Sequence, residues 1–407
     1  MKALCTYSKK NLLHNLNVIK AELKNAHPRD THKVKIMAII KSNAYGHGCI
    51  PVSKILDKEV DAFGIILIED ALKLRDEGIS KPIVLLEGVF NRRELEMAAE
   101  YGFHVVFHDD DHIDWLYENP LPRKLHAWLK IDTGMGRLGF SLENADEAMR
   151  KLKNNSSIYE RSIRIMSHFA CADNPEHSLN NVQMKEFRKF IKKYDDCEKC
   201  FCNSAGIFAF PKMHYDWVRP GIALYGGNPF PVNSTSPLAS ALENKLKSQL
   251  KPVMTFKTKL YKIKEKTTDG QNAGGYGAGS LCSKGMRVGI VPVGYSHGYP
   301  RSTQNGRVVR INNTNCRMIS QVMMDMMLVD LSDCPDAQVD NDIILWGDGL
   351  PIEDVAGDSG RISYDLLCGV GVDHHNKIVY SWDDTSSKLT RNKSQATKET
   401  YLIKPDI

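Results

Sequence analysis

The chain has 407 residues, a formal net charge of +5 and 10 cysteines. A chain of this length is too long for a single ordinary hydrophobic core, so we expect two domains. Its content of 42% hydrophobic and 25% charged residues is typical of globular proteins and argues against disorder over most of the chain. The small net charge disfavours a nucleic-acid binder, and neither a signal peptide nor a membrane segment is apparent, so we expect a cytoplasmic protein with reduced thiols.

Residues 11–25 look helical, and from residue 33 to 227 short apolar strands alternate with helical patterns. The predicted strands are 34–40, 60–68, 82–86, 103–107, 125–132, 162–168, 200–203 and 216–224, separated by helical stretches such as 69–78, 92–101, 142–152 and 181–194. Eight strands alternating with helices predict a (β/α)8 barrel of the TIM type.

After residue 227 the composition changes. Residues 228–248 are rich in Pro, Ser and Asn and then in Lys, which predicts a linker with one short helical turn. Strands are predicted at 253–263, 286–294, 307–311, 317–330 and 342–346, then a short helix at 360–368 and a polar, mobile tail at 384–400. We therefore predict an α/β fold with a barrel domain over 1–250 and a mostly β domain with a polar tail over 251–407.

The C-terminal ends of the predicted barrel strands carry residues suited to chemistry, which is where barrels place their active sites. Lys41 directly follows the buried run 34–40, and a half-buried lysine has a lowered pKa and a nucleophilic amine. The other strand ends lead into Arg137, His168, Asn203-Ser204 and Arg219-Pro-Gly221-Ile222.

Two of these groups suggest ligand contacts. Ser204 and the backbone N–H groups near Gly221 and Ile222 suit a phosphate that Tyr45 can also reach, although both segments also read as tight turns. The guanidinium of Arg137 suits bidentate pairing with a substrate carboxylate.

Two further patterns carry less weight. Gly134-x-Gly136-x-x-Gly139 formally matches a dinucleotide fingerprint, but it follows the fifth strand of a barrel instead of opening a βαβ unit. Cys197, Cys200 and Cys202 lack a second pair at zinc spacing, and the pair His374-His375 reads as solvated, so we predict no metal site.

Three segments together resemble one family. Lys41-Ser-Asn-Ala-Tyr-Gly-His-Gly48 closely resembles the cofactor-lysine motif of the alanine racemases. Gly294-Tyr295-Ser-His-Gly-Tyr-Pro-Arg301 and Ile362-Ser-Tyr364-Asp-Leu-Leu-Cys368 resemble two further segments of that family, in the family's order. The resemblance extends from about residue 7 to about residue 380.

The resemblance implies a barrel that binds pyridoxal 5'-phosphate (PLP) plus a β domain. In that family the lysine, here Lys41, holds PLP through a Schiff base and serves as one catalytic base, and Tyr295 is the second base. His168 would hydrogen-bond Tyr295 and link onward to Arg219. The implied cofactor contacts are Lys41, Tyr45, Asn203, Ser204, Arg219, Gly221, Ile222 and Tyr364, and the implied substrate contacts are Arg137 and the backbone N–H of Met324.

The resemblance also implies a head-to-tail homodimer in which each β domain completes the partner's site, and a carbamylated lysine at Lys130. Two positions depart from the family pattern: Gln321 stands where an arginine is frequent, and Cys200 where a histidine is frequent. The implied reaction is the interconversion of L- and D-alanine for peptidoglycan synthesis.

Other functions on the same barrel stay open at this point. One is a racemase for serine or for a broader set of amino acids, because one methylene or hydroxyl in a pocket discriminates by only ~1–3 kcal/mol. Another is a non-catalytic PLP carrier, although such proteins are typically a single barrel. The decarboxylases that share this barrel have a different phosphate loop. The aldolases that share it use metal ligands, which we do not find in the sequence.

Overall fold

The computed structural model describes residues 3–28, 33–159, 161–232, 234–276, 280–303, 306–370 and 378–383. The predicted tail at 384–400 and the pair His374-His375 lie outside these residues. No helix within them is both long enough and apolar enough to cross a membrane.

The first large unit is a closed barrel of eight parallel strands, which confirms the predicted barrel. Its strands are β2 (Lys35–Ile39), β3 (Ala62–Ile65), β4 (Ile83–Leu85), β5 (His104–Phe107), β6 (His126–Lys130), β7 (Arg164–Met166), β8 (Glu198–Cys200) and β9 (Trp217–Val218). The last strand is much shorter than predicted, because Pro220 cannot donate to a ladder and a 3-10 turn, Ile222–Tyr225, follows at once.

Helices surround the barrel and connect its strands. They are α1 (Lys9–Ala26), α2 (Lys41–Tyr45), α3 (Cys49–Leu56), α4 (Ile68–Asp76), α5 (Arg92–Glu100), α6 (Asp110–Glu118), α7 (Ala145–Asn154), α8 (Ser178–Ile191), α9 (Ser204–Ala209) and α10 (Pro237–Gln249). A short 3-10 helix, Pro211–Met213, lies between α9 and β9.

The prediction of a linker with one short helical turn at 228–248 was wrong in part, because α10 has 13 residues. Ser236 caps this helix, since its Oγ accepts a hydrogen bond from the Ala239 N–H at 3.1 Å, and Pro237 occupies the first turn. The prediction gave too much weight to the polar, lysine-rich composition. Most residues of this segment are good helix formers, and the segment begins at a strong N-cap residue.

The second unit is mostly β, as predicted. Its strands are β10 (Met254–Lys259), β11 (Lys262–Glu265), β12 (Gln271–Asn272), β13 (Leu281–Cys282), β14 (Arg287–Val291), β15 (Val308–Ile311), β16 (Thr314–Arg317), β17 (Met327–Asp330), β18 (Asp342–Trp346) and β19 (Ile378–Trp382). A 3-10 turn, Tyr295–His297, and helices α11 (Ile352–Asp358) and α12 (Ser363–Val370) complete it.

The N-terminal strand β1 (Ala3–Tyr7) belongs to the sheet of this second unit. The sheet has the order β16-β15-β18-β10-β1-β19, in which β1 pairs antiparallel with β10 and parallel with β19. The chain therefore enters the barrel from the second unit, and the domain boundary at residue 250 stays a prediction.

The two units share a continuous apolar core. It runs from barrel residues such as Trp128 to sheet residues such as Trp346, both fully buried. Within the barrel unit, the Tyr225 hydroxyl donates a hydrogen bond to the Ile39 carbonyl at 2.9 Å. This contact fixes the end of β2, and therefore the start of the segment that carries Lys41.

Candidate active site

A cavity of about 350 Å³ opens at the C-terminal ends of the barrel strands. Most of its lining residues end or follow a barrel strand, and the others come from α12. They are Ile39, Lys41, Ser42, Tyr45, Leu86, Glu87, Lys130, Arg137, Met166, His168, Asn203, Ser204, Arg219, Gly221, Ile222, Tyr364 and Cys368. The structure thus brings together the site residues that the sequence predicted, apart from Tyr295 and Met324.

Lys41 begins the short element α2, which is a left-handed turn and not an ordinary α-helix. The four residues after it, 42–45, all have left-handed backbone conformations, with φ of 52°, 53°, 55° and 51°. Such a conformation costs roughly 1 kcal/mol or more for each residue with a Cβ, so the surroundings must hold it. The Ala44 N–H donates to the Ile40 carbonyl at 2.8 Å, and the Asn43 side chain accepts from the Cys49 N–H at 2.9 Å.

This turn holds the amine of Lys41 inside the cavity. Burial lowers the pKa of Lys41, while the carboxylate of Glu87 opposes the shift and the guanidinium of Arg137 adds to it. A lowered pKa increases the fraction of neutral, nucleophilic amine.

Arg219 and His168 form the polar floor of the cavity. Arg219 is 5% exposed, and its Nη2 donates to the Ser167 carbonyl at 2.6 Å and to Nδ1 of His168 at 3.1 Å. Its Nη1 donates to Sγ of Cys200 at 2.8 Å. Burial lowers the pKa of His168 well below its ordinary value, and the cations around it, Arg219 first, lower it further.

The cavity also contains an anion cradle, which we define as Tyr45, Ser204, Gly221, Ile222 and Tyr364. Oγ of Ser204 accepts from the Gly221 N–H at 2.9 Å, while the Ile222 N–H has no acceptor among the described residues. Burial raises the pKa of both tyrosines, so each keeps its proton and is able to donate it in a hydrogen bond.

Asn203 stabilises the part of the anion cradle that contains Ser204. Its side chain caps α9 by accepting from the Gly206 N–H at 2.9 Å. The residue therefore fixes the position of Ser204, the first residue of that helix.

Lys130 ends β6 and lies among cations. Burial, together with Arg219 and Arg137, lowers the pKa of Lys130 to about 8, and Glu87 opposes the shift. At this pKa about a tenth of the amine is neutral near pH 7, far more than for an ordinary lysine.

The glycine-rich loop after β6 has a structural explanation. The carboxylate of Asp132 accepts hydrogen bonds from the N–H groups of Gly134, Met135 and Gly136, each at 2.8 Å. Because these donors are already used, the loop cannot offer them to a dinucleotide phosphate. Its role is to present Arg137 to the cavity.

Tyr295 and Met324 lie in the second unit, next to each other in space. The Tyr295 N–H donates to the Met323 carbonyl at 3.1 Å, and the Ser296 N–H donates to the Met324 carbonyl at 2.9 Å. Tyr295 is 37% exposed and Met324 is 54% exposed. Both side chains thus lie at the surface of the described chain, outside the lining of the Lys41 cavity.

Comparison with known proteins identifies the family. The family model for the alanine racemase N-terminal domain matches residues 8–229, and that for the alanine racemase C-terminal domain matches residues 253–378. The chain belongs to the alanine racemase family. This membership confirms the resemblance that the sequence motifs carried.

Individual relatives agree. An alanine racemase of Coxiella burnetii is 40% identical over 369 residues, which is 91% of this chain and 96% of that protein. The biosynthetic alanine racemase of Pseudomonas aeruginosa superimposes with a TM-score of 0.82 at 31% identity, covering 94% of this chain and 99% of that one. An alanine racemase of Bartonella henselae with covalently bound pyridoxal phosphate gives a TM-score of 0.77 at 25% identity, covering 93% and 99%.

Membership of this family implies PLP, and the residues of the cavity fit that group. A Cβ on Gly221 would lie 2.5 Å from the Tyr45 hydroxyl, so only glycine leaves room at the cradle. A phosphate there would meet hydroxyl donors and the unpaired N–H of Ile222, and Lys41 offers the amine for a covalent link.

Sequence reasoning missed Ser42, Leu86, Glu87 and Cys368 as lining residues. Glu87 matters most, because its carboxylate raises the pKa of both Lys41 and Lys130. It follows the predicted strand 82–86 directly, so the same rule that singled out the other strand ends would have found it. Cys368 ends the segment Ile362–Cys368 that already resembled the family.

Proposed function

We propose that this protein is a PLP-dependent alanine racemase that interconverts L- and D-alanine with two bases, Lys41 and Tyr295. The observation that carries the proposal is the cavity itself, in which a buried lysine of lowered pKa shares one space with an anion cradle and with the Arg219–His168 pair. A single reaction accounts for all three.

The anchoring residues act first. The anion cradle would hold the cofactor phosphate, and Lys41 would hold the cofactor covalently at rest. Arg219 would donate a hydrogen bond to the pyridine nitrogen of bound PLP, and because a guanidinium does not give up its proton, this contact would favour an unprotonated nitrogen. When bound, PLP supplies the electron sink that makes the Cα proton of the substrate acidic.

The two bases then work on opposite faces of Cα. The amine of Lys41 would accept or return the proton on the D face, and its lowered pKa suits both directions. Tyr295 does the same on the L face. His168 accepts a hydrogen bond from Arg219 at Nδ1, which leaves its Nε2–H to support the oxygen of Tyr295.

The substrate carboxylate is held by Arg137, with the backbone N–H of Met324 as a second contact. Lys130 is suited to carbamylation, because a carbamate forms when a neutral amine attacks CO₂ and loses a proton. Its pKa of about 8 supplies that amine, and the nearby cations Arg219 and Arg137 favour the resulting anion. The carbamate then orients Arg137.

The surface position of Tyr295 and Met324 supports a head-to-tail homodimer in which each second unit completes the partner's cavity. The mostly β second unit also argues against a single-barrel PLP carrier. In this proposal the enzyme acts in the cytoplasm and supplies D-alanine for peptidoglycan.

The deciding experiment incubates the purified protein and PLP with L-alanine in deuterated water. We expect D-alanine that carries deuterium at Cα, together with a yellow protein. Lys41→Ala should abolish covalent cofactor and turnover in both directions, whereas Lys54→Ala, a lysine whose side chain is 41% exposed and paired with Glu77, should retain both. A yellow protein that exchanges nothing with alanine, but exchanges and racemises serine, would transfer the proposal to serine.

A further inference from the structure

Three side chains that bind metal ions well lie together at the end of β5 and the start of α6. They are His108, Asp109 and His112, and one ligand atom from each lies within 4.8 Å of the others. His108 lies in the connection between β5 and Asp109, the N-cap residue of α6, and His112 lies in the first turn of that helix, so the bend of the chain into α6 brings the two rings together. Their ring centroids are 4.4 Å apart.

The hydrogen bonds of His108 fix which of its nitrogens is available. Nε2 lies 3.0 Å from the backbone carbonyl of Glu87, and a carbonyl only accepts, so Nε2 carries a proton. In the neutral ring Nδ1 then has a lone pair. This nitrogen faces Oδ2 of Asp109 at 3.1 Å, and two acceptors at that distance need a proton or a cation between them.

The donation from Nε2–H to a backbone carbonyl is also the arrangement that commonly orients a metal-binding histidine. The carbonyl fixes the tautomer and the plane of the ring, so Nδ1 is held toward the cluster.

His112 provides an independent observation. It is only 5% exposed, and its Nδ1 has no hydrogen-bond partner among the described residues. Gly88 packs directly against the ring, since a Cβ there would lie 2.5 Å from Cε1 of His112. Burying a polar nitrogen without a hydrogen-bond partner costs free energy. Coordination of a cation by a lone pair of this ring would offset that cost.

The charges around the cluster favour a cation. Asp110 and Asp111 occupy the first turn of α6 and offset the positive end of the helix dipole. Lys151 pairs with Asp110 at 3.3 Å and with Asp114 at 3.7 Å, and neither contact takes up Asp109. Asp109 also caps α6, since its Oδ1 accepts from the His112 N–H at 3.2 Å.

We propose that His108, Asp109 and His112 form a binding site for a divalent transition metal, with Zn²⁺ as the preferred ion and water completing the coordination. Two imidazoles and one carboxylate are typical zinc ligands. The site ties the start of α6 to the carbonyl of Glu87, whose side chain lines the Lys41 cavity. The metal therefore braces one wall of the active site, and its binding does not depend on the reaction catalysed there.

The test measures Zn²⁺ binding to the metal-free, cofactor-loaded protein in competition with a chromophoric zinc chelator. We expect Asp109→Asn to weaken binding at least tenfold, while asparagine keeps an oxygen that caps α6. Asp111→Asn removes the same charge from a neighbouring residue that offers no ligand atom to the cluster, so it should weaken binding far less than Asp109→Asn does. X-ray absorption spectroscopy at the zinc edge, measured on the unsubstituted protein, should show only nitrogen and oxygen atoms as zinc ligands.

Three outcomes would overturn the proposal. The first is that the unsubstituted protein does not bind one Zn²⁺ ion tightly. The second is that the Asp109→Asn and Asp111→Asn variants bind Zn²⁺ with equal affinity. The third is that sulfur is found among the zinc ligands, which would place the ion at cysteines. The first of these would mean that a proton shared between His108 and Asp109 holds the cluster together.

Discussion

Arg219 donates a hydrogen bond from Nη2 to Nδ1 of His168 at 3.1 Å. A guanidinium has no acceptor, so Nδ1 of His168 must accept and the neutral ring carries its proton on Nε2. Burial and the surrounding cations lower the pKa of His168 well below its ordinary value, which keeps the ring neutral. The pair therefore presents one fixed donor, Nε2–H, to whatever approaches from the open side of the cavity.

The first prediction concerns this donor. In His168→Phe the phenolate of Tyr295 loses a hydrogen bond to a charged group, worth about 1.5–3 kcal/mol, so kcat/KM for L-alanine should fall roughly 10- to 100-fold at pH 7. Activity should recover as the pH rises, because deprotonation of Tyr295 then needs less support. His168→Gln keeps a side-chain N–H and should lose less. Equal losses in both variants, with an unchanged pH profile, would contradict this role.

Much of the fold was predictable because its signals are local. Buried strand runs, each followed by a helical pattern, indicated the barrel, and strand ends indicated the cavity. The pairing of β1 with β10 was not predictable, since Leu4 pairs with Lys257 across the whole barrel sequence. A five-residue strand carries no signal that identifies so distant a partner.

The site shows the same limit. Residue types at strand ends indicated Lys41 and Arg219, but the left-handed conformation of residues 42–45 contradicts the intrinsic preference of Ser, Asn, Ala and Tyr. Only the surrounding tertiary contacts impose it. The contact of Arg219 with Cys200 likewise depends on two strands that the sequence does not place in register.

The second prediction tests the anion cradle. In Gly221→Ala the new Cβ would meet the Tyr45 hydroxyl at 2.5 Å, so that the tyrosine must move away from the phosphate position. We expect the affinity for PLP, measured by absorbance titration, to fall at least tenfold while the circular dichroism spectrum stays the same. Gly357→Ala is the matched control, because a Cβ there meets nothing within 4 Å. Unchanged PLP affinity in Gly221→Ala would exclude the cradle as the phosphate site.

The third prediction concerns acid stability. His47 is buried against the Lys41 turn, and its Nδ1 lies 2.8 Å from the Tyr45 carbonyl. Burial lowers the pKa of His47 to about 4. Between pH 6.5 and 4 the unfolded chain therefore binds a proton at this residue that the folded chain does not bind. Stability should decline as the pH falls through this window, by about 1.4 kcal/mol per pH unit from this residue.

The measurement is the unfolding free energy in urea at pH 7, 6 and 5. His47→Asn keeps a donor to the same carbonyl but cannot titrate. We therefore expect its unfolding free energy to fall less steeply with decreasing pH, with a slope that corresponds to about one proton fewer bound on unfolding. Parallel curves for the two proteins would show that His47 does not contribute to the acid sensitivity.

The fourth prediction separates the two bases. In Tyr295→Phe the cofactor site is intact, so we expect full binding of PLP. Exchange of the Cα proton of D-alanine with deuterated water should persist through Lys41, whereas exchange from L-alanine and net racemisation should fall by 10²-fold or more. Proton NMR follows both exchanges. Tyr261→Phe, which alters a tyrosine that is 54% exposed, serves as the control. Equal loss of both exchanges would refute the assignment of Tyr295 to one face.

The fifth prediction decides whether Lys41 and Tyr295 act across a dimer interface. Lys41→Ala and Tyr295→Phe are each expected to be inactive, and a mixed dimer is isolated through two different affinity tags. If each cavity takes Tyr295 from the partner, one cavity of the mixed dimer has both bases and the other has neither. The mixed dimer should then show about half of the wild-type activity per dimer. If both bases come from the same subunit, neither cavity is complete and the mixed dimer is inactive. A wild-type/Lys41→Ala dimer is half active in either case and checks the purification, so an inactive mixed dimer beside a half-active control would exclude sites completed by the partner.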